Sequence, residues 1–375
     1  MIINKRKKII ILLTGLIVIG LFGYFIYRVV LFPQFKQPPQ QKFQPNETIT
    51  KKIQLEIKEK IVSPALSSDG KALYYFTQGN KPGIYKYNLL NRQSELFFSV
   101  SDIGNISWSP DRKSAIFMVV QYPERFKIIK SPFYLPDAIE LEQTYWFFNL
   151  ENQKLLKLNR FVDTYIWTAN NRIIFRSFNY EADPAEDMFY EFDPATMQSV
   201  RIAKNPEGGN IEFIYADDKD IFYLPIYSES AQSQIMRLDR QNSQAQPFVS
   251  DNLSDALASP LGNQFLATAY NGQNNSSSLM IIDKNTKSLK QFDFPSTLIN
   301  MVAWSQDEKS LFVSDPNERG GDQFYQIDVD SQKITEIKYQ APESEFNQSQ
   351  NLFLSLNNTA LFFLSSGQLF RMDLN

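Results

Sequence analysis

The sequence contains neither cysteine nor histidine among its 375 residues. Zinc sites in proteins are built from thiolates and imidazoles, and Ser-His-Asp or Cys-His catalysis requires an imidazole base. The two absences therefore exclude zinc-finger sites and imidazole-based hydrolysis, and leave carboxylates, hydroxyls, lysine and arginine for any chemistry. The length and the 43% of apolar residues are those of a folded chain with a substantial core.

The net charge of −3 conceals opposite charges in two parts of the chain. Residues 1–52 carry nine Lys or Arg and a single acidic residue, Glu47, whereas the remainder carries 29 basic and 40 acidic residues. Nucleic-acid binding depends on clustered basic residues that neutralise phosphates. The acidic body of the chain therefore argues against a nucleic-acid partner.

An uncharged apolar run occupies residues 9–27 and continues to residue 31 with one Arg. Nineteen uncharged residues in a helix match the thickness of a bilayer core, and the basic residues at 5–8 place that end in the cytoplasm. A cleaved signal peptide is the alternative, but its apolar region is usually shorter and ends in small residues. We predict a cytoplasmic tail at 1–8 and a retained, single-pass transmembrane helix at 9–31, with the rest of the chain outside the cytoplasm.

Residues 32–50 contain four Pro and five Gln and show no apolar periodicity. This composition is typical of an extended linker. A proline-rich recognition motif between Pro33 and Pro39 is the alternative interpretation. We predict a linker here and one folded domain over residues 51–375.

Two patterns repeat in alternation through that domain. The first is a turn that contains Asp or Asn after an apolar pair, in copies that begin at Ala65, Ser107, Ile166, Ile214, Leu257, Ala303 and Phe353. The second is an alternating strand that ends at Asn88, Asn149, Asp193, Asp239, Asp283, Asp328 and Asp373. Units of about 45 residues with four short β runs are the content of a propeller blade. We therefore predict an all-β, seven-bladed β-propeller of four-stranded blades, preceded by the transmembrane helix.

The last repeat lacks a fourth strand, because the sequence reaches residue 375 directly after the third. An open edge would invite aggregation. Residues 53–57 alternate apolar and polar side chains and precede the first repeat. We predict that this N-terminal strand closes the last blade. In the sixth repeat, we predict strands at 300–304, 310–314, 323–328 and 333–337.

The turns Trp108-Ser109-Pro110-Asp111-Arg112-Lys113 and Trp304-Ser305-Gln306-Asp307-Glu308-Lys309 resemble those of TolB-type, WD-like propeller repeats. The resemblance covers residues 53–375 and implies a fold rather than an activity. Propellers of this type also form the non-catalytic domain of prolyl oligopeptidase and dipeptidyl peptidase enzymes. TolB itself is similar in having its propeller outside the cytoplasm.

The longest connection lies between the second and third strands of the second repeat, near residues 121–143. Long loops on a compact scaffold frequently carry recognition. We predict that its aromatic and basic residues form a partner-binding arm, with folding back over the blades as the alternative. The candidate residues are Tyr122, Arg125, Phe126, Phe133 and Tyr134.

Two acidic loops are candidate Ca²⁺ sites, because hard oxygen ligands suit this ion. Neither has the spacing of an EF-hand, and a solvated acidic loop is the alternative for both. The candidate residues are Glu181, Asp183, Glu186 and Asp187 in one loop, and Asp315 and Asp322 in the other. The acids that recur once per repeat are interpreted as turn formers.

These features favour a non-catalytic propeller that binds a protein, a peptide or an envelope polymer at the connections between second and third strands. A propeller hydrolase or lyase that uses carboxylates of the central channel, with or without Ca²⁺, is the alternative hypothesis. We assign no catalytic and no cofactor-binding residue from the sequence.

Overall fold

The computed structural model describes residues 45–101, 103–121, 142–158, 162–179, 181–226, 234–249, 253–271, 276–293, 301–316, 322–340 and 349–374. These residues form 28 β-strands within one compact unit, Gln44–Asn375. In this part of the chain, no helix has the length and apolar character needed to cross a bilayer. The predicted cytoplasmic tail, 1–8, and the predicted transmembrane helix, 9–31, lie outside the described residues.

Five sheets have four strands each, paired in chain order as antiparallel meanders. The first sheet contains β2 (Val62–Leu66), β3 (Ala72–Thr77), β4 (Gly83–Asn88) and β5 (Gln93–Ser99). The second contains β6 (Ile103–Trp108), β7 (Ser114–Gln121), β8 (Glu142–Asn149) and β9 (Leu155–Lys157). The third contains β10 (Val162–Trp167), β11 (Ile173–Asn179), β12 (Glu186–Asp193) and β13 (Gln198–Lys204).

The fourth sheet contains β14 (Ile211–Ala216), β15 (Asp220–Pro225), β16 (Ile235–Asp239) and β17 (Gln244–Val249). The fifth contains β18 (Leu253–Ala258), β19 (Gln264–Asn271), β20 (Ser276–Asp283) and β21 (Leu289–Asp293). Second strands are largely buried and fourth strands largely exposed, as β15 and β13 illustrate. The apolar residues of each repeat therefore concentrate in its middle strands.

The remaining strands form one eight-stranded sheet in the order β22-β23-β24-β25-β1-β28-β27-β26. Their bounds are β1 (Glu47–Ile57), β22 (Met301–Trp304), β23 (Ser310–Pro316), β24 (Asp322–Asp328), β25 (Ile334–Gln340), β26 (Ser349–Leu354), β27 (Ala360–Ser365) and β28 (Gln368–Asp373). We call β22–β25 the sixth group, and β26–β28 with β1 the seventh group. The four strands predicted for the sixth repeat are confirmed to within three residues at every boundary.

Strand β1 joins these two groups. Its first part, residues 47–52, pairs in parallel with β25, and its second part, residues 53–57, pairs antiparallel with β28. The strand thus begins at Glu47, inside the segment 32–50 that the sequence assigned to a linker. The physical reason is that the outer edge of β25 offers backbone N–H and C=O groups, which satisfy those of residues 47–52.

Buried apolar clusters join successive sheets. They connect the first sheet to the second, the second to the third, the third to the fourth, the fourth to the fifth, and the sixth group to the seventh. A further cluster, with Ile57, Tyr75 and Phe362, joins the seventh group to the first sheet. Between the fifth sheet and the sixth group, the buried carboxylate of Glu308 accepts the N–H of Leu261 at 2.8 Å. A β-propeller is an arrangement in which each sheet packs against the next in chain order and the last packs against the first.

The antiparallel strands give every sheet two distinct ends. We call the end with the connections from first to second and from third to fourth strands the turn end. The opposite end, with the connections from second to third strands and from one sheet to the next, is called the loop end. The chain joins β1 at the turn end, because Asn46 exchanges hydrogen bonds with Ile334, the first residue of β25.

The repeated turn acids have the structural role that the sequence predicts. In five first-to-second turns, a Ser or Thr hydroxyl donates to the Asp or Asn two residues later, and the acceptors are Asp69, Asp111, Asn170, Asp307 and Asn357. The strand-end acids accept backbone N–H groups in the same way, as Asp283 does from Asn285 and Thr286. Each turn is therefore fixed by its own residues.

Candidate functional site

The predicted binding arm lies outside the described residues, and so do Tyr122, Arg125, Phe126, Phe133 and Tyr134. The strands on either side of it, β7 and β8, are paired up to Gln121 and Glu142. The connection therefore leaves from the loop end of the second sheet. Gln121 and Glu142 lie at the same end of the propeller as the polar cluster described next.

The first acidic loop divides into exposed and buried residues. Glu181, Asp183 and Glu186 are exposed, whereas Asp187 is only 6% exposed and belongs to β12. The chain becomes buried directly after Glu186, because Asp187, Met188 and Phe189 of β12 are all buried.

Asp187 is the partner of a buried arginine. Its two carboxylate oxygens accept hydrogen bonds from Nε and Nη2 of Arg176, on the neighbouring strand β11, at 2.8 and 2.9 Å. The third guanidinium nitrogen, Nη1, contacts Asp163 Oδ2 on β10 at 2.6 Å. Burial opposes protonation, but the hydrogen bonds and charges of the two carboxylates outweigh it and raise the pKa of Arg176 above its ordinary value. The bidentate geometry fixes the orientation of the guanidinium.

The connection between the third and fourth sheets completes this cluster. Asn205 donates its side-chain amide to Asp187 Oδ2 at 2.8 Å and to the carbonyl of Gly209 at 2.9 Å. Asn210 accepts from Arg176 Nη1 at 3.2 Å. Residues from β10, β11, β12 and the 205–210 connection are thereby held together, and we call them the Arg176 cluster.

Two exposed apolar side chains border the Arg176 cluster. The guanidinium of Arg176 lies over the ring of Phe178, 5.5 Å from its centroid, and Phe178 is 40% exposed. Ile226, which follows β15, is 55% exposed, and its N–H donates to the carbonyl of Asn210 at 2.8 Å. An aromatic and an aliphatic side chain are thus presented to solvent from a hydrogen-bonded base.

Two carboxylates lie near the starts of adjacent first strands. Glu212 is on β14 and Asp255 is on β18, and these strands pack against each other. Partial burial, and secondarily the negative charge of Asp255, raise the pKa of Glu212 above its ordinary value. We take this pair of carboxylates on first strands as the site at which the enzyme hypothesis is tested.

The second acidic loop begins and ends within a strand pair. Asp315 is buried on β23, and Asp322 is the first residue of β24, where it pairs with Pro316. Within the ranges that the structure describes, no three Asp or Glu side chains converge in a way that would hold a metal ion. The suggested Ca²⁺ sites stay predictions.

The sequence carried one signal for the Arg176 cluster that our predictions did not use. Arg176 is the single charged residue of β11, a strand that is buried over its first five residues. A buried arginine requires acidic partners. The identities of Asp163, Asn205 and Asn210 as neighbours depend on the fold and have no local signal.

Two solved structures share this fold at low sequence identity. An oligogalacturonate lyase from Vibrio parahaemolyticus aligns with a TM-score of 0.64 and 8% identity, over 88% of this chain and 99% of that one. The β-propeller domain of Cps50 (Swd1) from Myceliophteria thermophila aligns with a TM-score of 0.56 and 10% identity, over 86% of this chain and 100% of that one. The likeness shows that the chain folds as a β-propeller. No protein-family model and no curated protein matches the sequence.

Proposed function

We propose that the chain is a membrane-anchored, extracytoplasmic propeller of seven blades that binds a protein, a peptide or an envelope polymer at its loop end and has no catalysis of its own. Five four-stranded sheets and the sixth and seventh groups, each with one copy of both repeats, support the blade number. The resemblance of the turns to TolB-type repeats supports the location outside the cytoplasm.

The point where the chain joins the propeller supports the orientation. Asn46 lies at the turn end, beside Ile334, and the predicted linker and transmembrane helix precede it in the sequence. The loop end therefore faces away from the membrane in this proposal. A binding surface at that end is accessible to partners in the surrounding compartment.

The observation that carries the binding role is the pair of exposed side chains, Phe178 and Ile226, at the border of the Arg176 cluster. Binding surfaces derive most of their affinity from a few aromatic, aliphatic and arginine side chains held in fixed positions. The bonds of Arg176 to Asp187 and Asn210 provide such a fixed base. The acidic side chains Glu181 and Asp183 nearby favour a partner with basic groups.

Site-specific photocrosslinking in intact cells tests this role. A photoreactive amino acid at Ile226 is expected to capture a defined partner, and the substitution Phe178→Ser is expected to reduce that capture at least about tenfold. The matched control is Val200, which is 64% exposed on the outer strand β13. Equal capture from positions 226 and 200 would contradict a specific site at the loop end.

Topology is tested separately with two C-terminal fusions. Alkaline phosphatase is expected to be active and green fluorescent protein dark when they follow residue 374. The reverse result would place the propeller in the cytoplasm and overturn the orientation.

The pair Glu212 and Asp255 supports one second candidate, a hydrolase or lyase that uses carboxylate chemistry with or without Ca²⁺. The pKa of Glu212 is raised, and a carboxyl with a raised pKa next to a second carboxyl is the usual arrangement for a general acid and its partner. Oligogalacturonate, the substrate in the name of one structural neighbour, is a suitable first probe. Turnover that depends on Ca²⁺ and disappears in Glu212→Gln would favour this candidate over the binding module.

A further inference from the structure

Exposed leucines recur at the turn end of the propeller. Among the residues that the structure describes, eleven large apolar residues are more than about a third exposed, and six of these lie in turn-end connections or within two residues of one. All six are leucines: Leu90 (93% exposed), Leu155 (38%), Leu257 (46%), Leu261 (59%), Leu289 (41%) and Leu356 (42%). We call them the turn-end leucines.

These leucines lie on both sides of the place where the chain joins β1. Leu257, Leu261 and Leu289 belong to the fifth sheet, which precedes the sixth group. Leu356 belongs to the seventh group, and its side chain lies against Gly70 of the first sheet. The junction of Asn46 with Ile334 is in the sixth group, between the two sets.

Lysines surround the same turns. Lys71, Lys154, Lys219 and Lys309 are exposed and occupy turn-end connections. A lysine beside an apolar side chain extends its ammonium toward lipid phosphates while its stem stays on apolar surface. Acids of the same turns, such as Asp69 and Asp307, keep the overall charge of this end balanced. The leucines are therefore the feature that selects an apolar partner.

The preceding chain determines which apolar partner is within reach. Residues 32–46 separate the predicted transmembrane helix from β1, and 15 residues at about 3.1 Å each span roughly 46 Å. A tether of this length holds the turn end near the bilayer at a high effective concentration. Weak insertion of a few leucine side chains is sufficient under these conditions.

We propose that the turn end of the propeller rests on the bilayer, with the turn-end leucines inserted at the headgroup boundary and the loop end held away from it. This inference rests on the proposed transmembrane anchor. It goes beyond the proposed binding role because it assigns a second surface, with lipid as its partner. The propeller would then stand in a fixed orientation on the membrane and would not swing freely on its linker.

The absence of cysteine provides a clean experiment, since one introduced cysteine gives a single labelling site. The full chain is reconstituted in nanodiscs of phosphatidylcholine and phosphatidylglycerol and labelled with a fluorophore at Gln306→Cys or Gly209→Cys. Gln306 lies in a turn-end connection, whereas Gly209 lies at the loop end in open space. Quenching of the fluorophore by lipids that carry a nitroxide on the headgroup is measured at each of the two positions.

Quenching is expected to be at least about threefold stronger at position 306 than at position 209. The triple variant Leu90→Ser, Leu261→Ser, Leu356→Ser should remove this difference. The matched variant Phe178→Ser, Ile226→Ser, which changes exposed apolar residues of the loop end, should leave it unchanged. All five positions are exposed, so circular dichroism is expected to show an unchanged fold.

Two other outcomes have separate meanings. If the chain co-purifies with the discs and quenching is equally weak at both positions, the anchor stands and the surface contact is overturned. If the chain does not co-purify with lipid, the proposed anchor fails, and this inference fails with it. If the triple leucine substitution leaves the difference in quenching unchanged, the assignment of the contact to these leucines is overturned.

Discussion

The two ends of the propeller differ in whether their side-chain bonds repeat from blade to blade. At the turn end, Ser109 donates to Asp111, two residues away, and the same bond recurs in other blades. At the loop end, Arg176 binds Asp163, Asp187 and Asn210, which are 11 to 34 residues away and belong to different strands or connections. Local bonds can be repeated in every blade, whereas a cluster assembled from several elements is specific to one place.

This difference separates the parts of the molecule that define the fold from the part that we propose as a binding site. A bond that recurs in five turns makes those turns alike and therefore cannot distinguish one site from another. The Arg176 cluster breaks the repeat and supports two exposed apolar residues of the loop end. The predictions below compare the cost of breaking each kind of interaction.

The largest effect is expected for Arg176→Ala. The substitution leaves Asp187 buried without its cation, and loss of one partner of a buried pair costs about 3–5 kcal/mol. The measurement is the free energy of unfolding in urea. Arg371→Ala, which removes a more exposed pair with Asp373, is the control and should cost about 1 kcal/mol or less. Equal costs would show that the cluster adds no special stability.

A smaller but substantial loss is expected for Gly262→Ala at the turn end. Gly262 has φ of +71°, and a Cβ there would lie 2.1 Å from the ring of Tyr215. Left-handed backbone and overpacking together cost about 2–4 kcal/mol. Gly209→Ala is the control at the loop end, because its Cβ meets nothing within 4 Å. A thermal unfolding midpoint that stays at the wild-type value in Gly262→Ala would refute this explanation.

Acid is expected to weaken the turn end. Hydrogen bonds from Ser305 and the turn backbone lower the pKa of Asp307 below its ordinary 3.8, and the pKa values of Asp69, Asp283 and Asp328 are lowered similarly. A lowered folded-state pKa gives stability that is present above pH 3.8 and is lost as pH falls below it. The thermal unfolding midpoint should therefore decrease as the pH is lowered from about 4 to about 2. Asp307→Asn should reduce that fall; an unchanged pH profile would contradict the assignment.

The smallest effect, with the opposite sign, is expected for Glu212→Gln at the loop end. Because its folded pKa is raised, the ionised carboxylate destabilises the fold at neutral pH, and stability declines as pH rises above 4.5. Glu212→Gln should raise the unfolding midpoint slightly at pH 7, and the difference should vanish below about pH 4. A lower midpoint at pH 7 would instead indicate a stabilising contact of the carboxylate.

Sequence periodicity was sufficient to predict the all-β class and the strands of the sixth repeat, since each depends on residues close in the chain. It was not sufficient for residues 47–50, because their partner β25 lies almost 290 residues away and Pro45 precedes them. The same limit applies to the candidate site. Asp187 was chosen as a loop acid, and its buried position depends on Arg176 and Asn205 from other elements.

Strand β1 also determines how the propeller bears mechanical load. A pull along the linker acts on residue 46, and the next six residues pair in parallel with β25, so the force runs along the strand axis. The hydrogen bonds of these pairs lie across that axis and must yield together, rather than one after another as in peeling. The bond between Lys51 Nζ and the carbonyl of Leu374 adds a further attachment to the C-terminal end. If the N-terminus is anchored and the loop end binds a partner, as we propose, the tension between them would be borne in shear by β1.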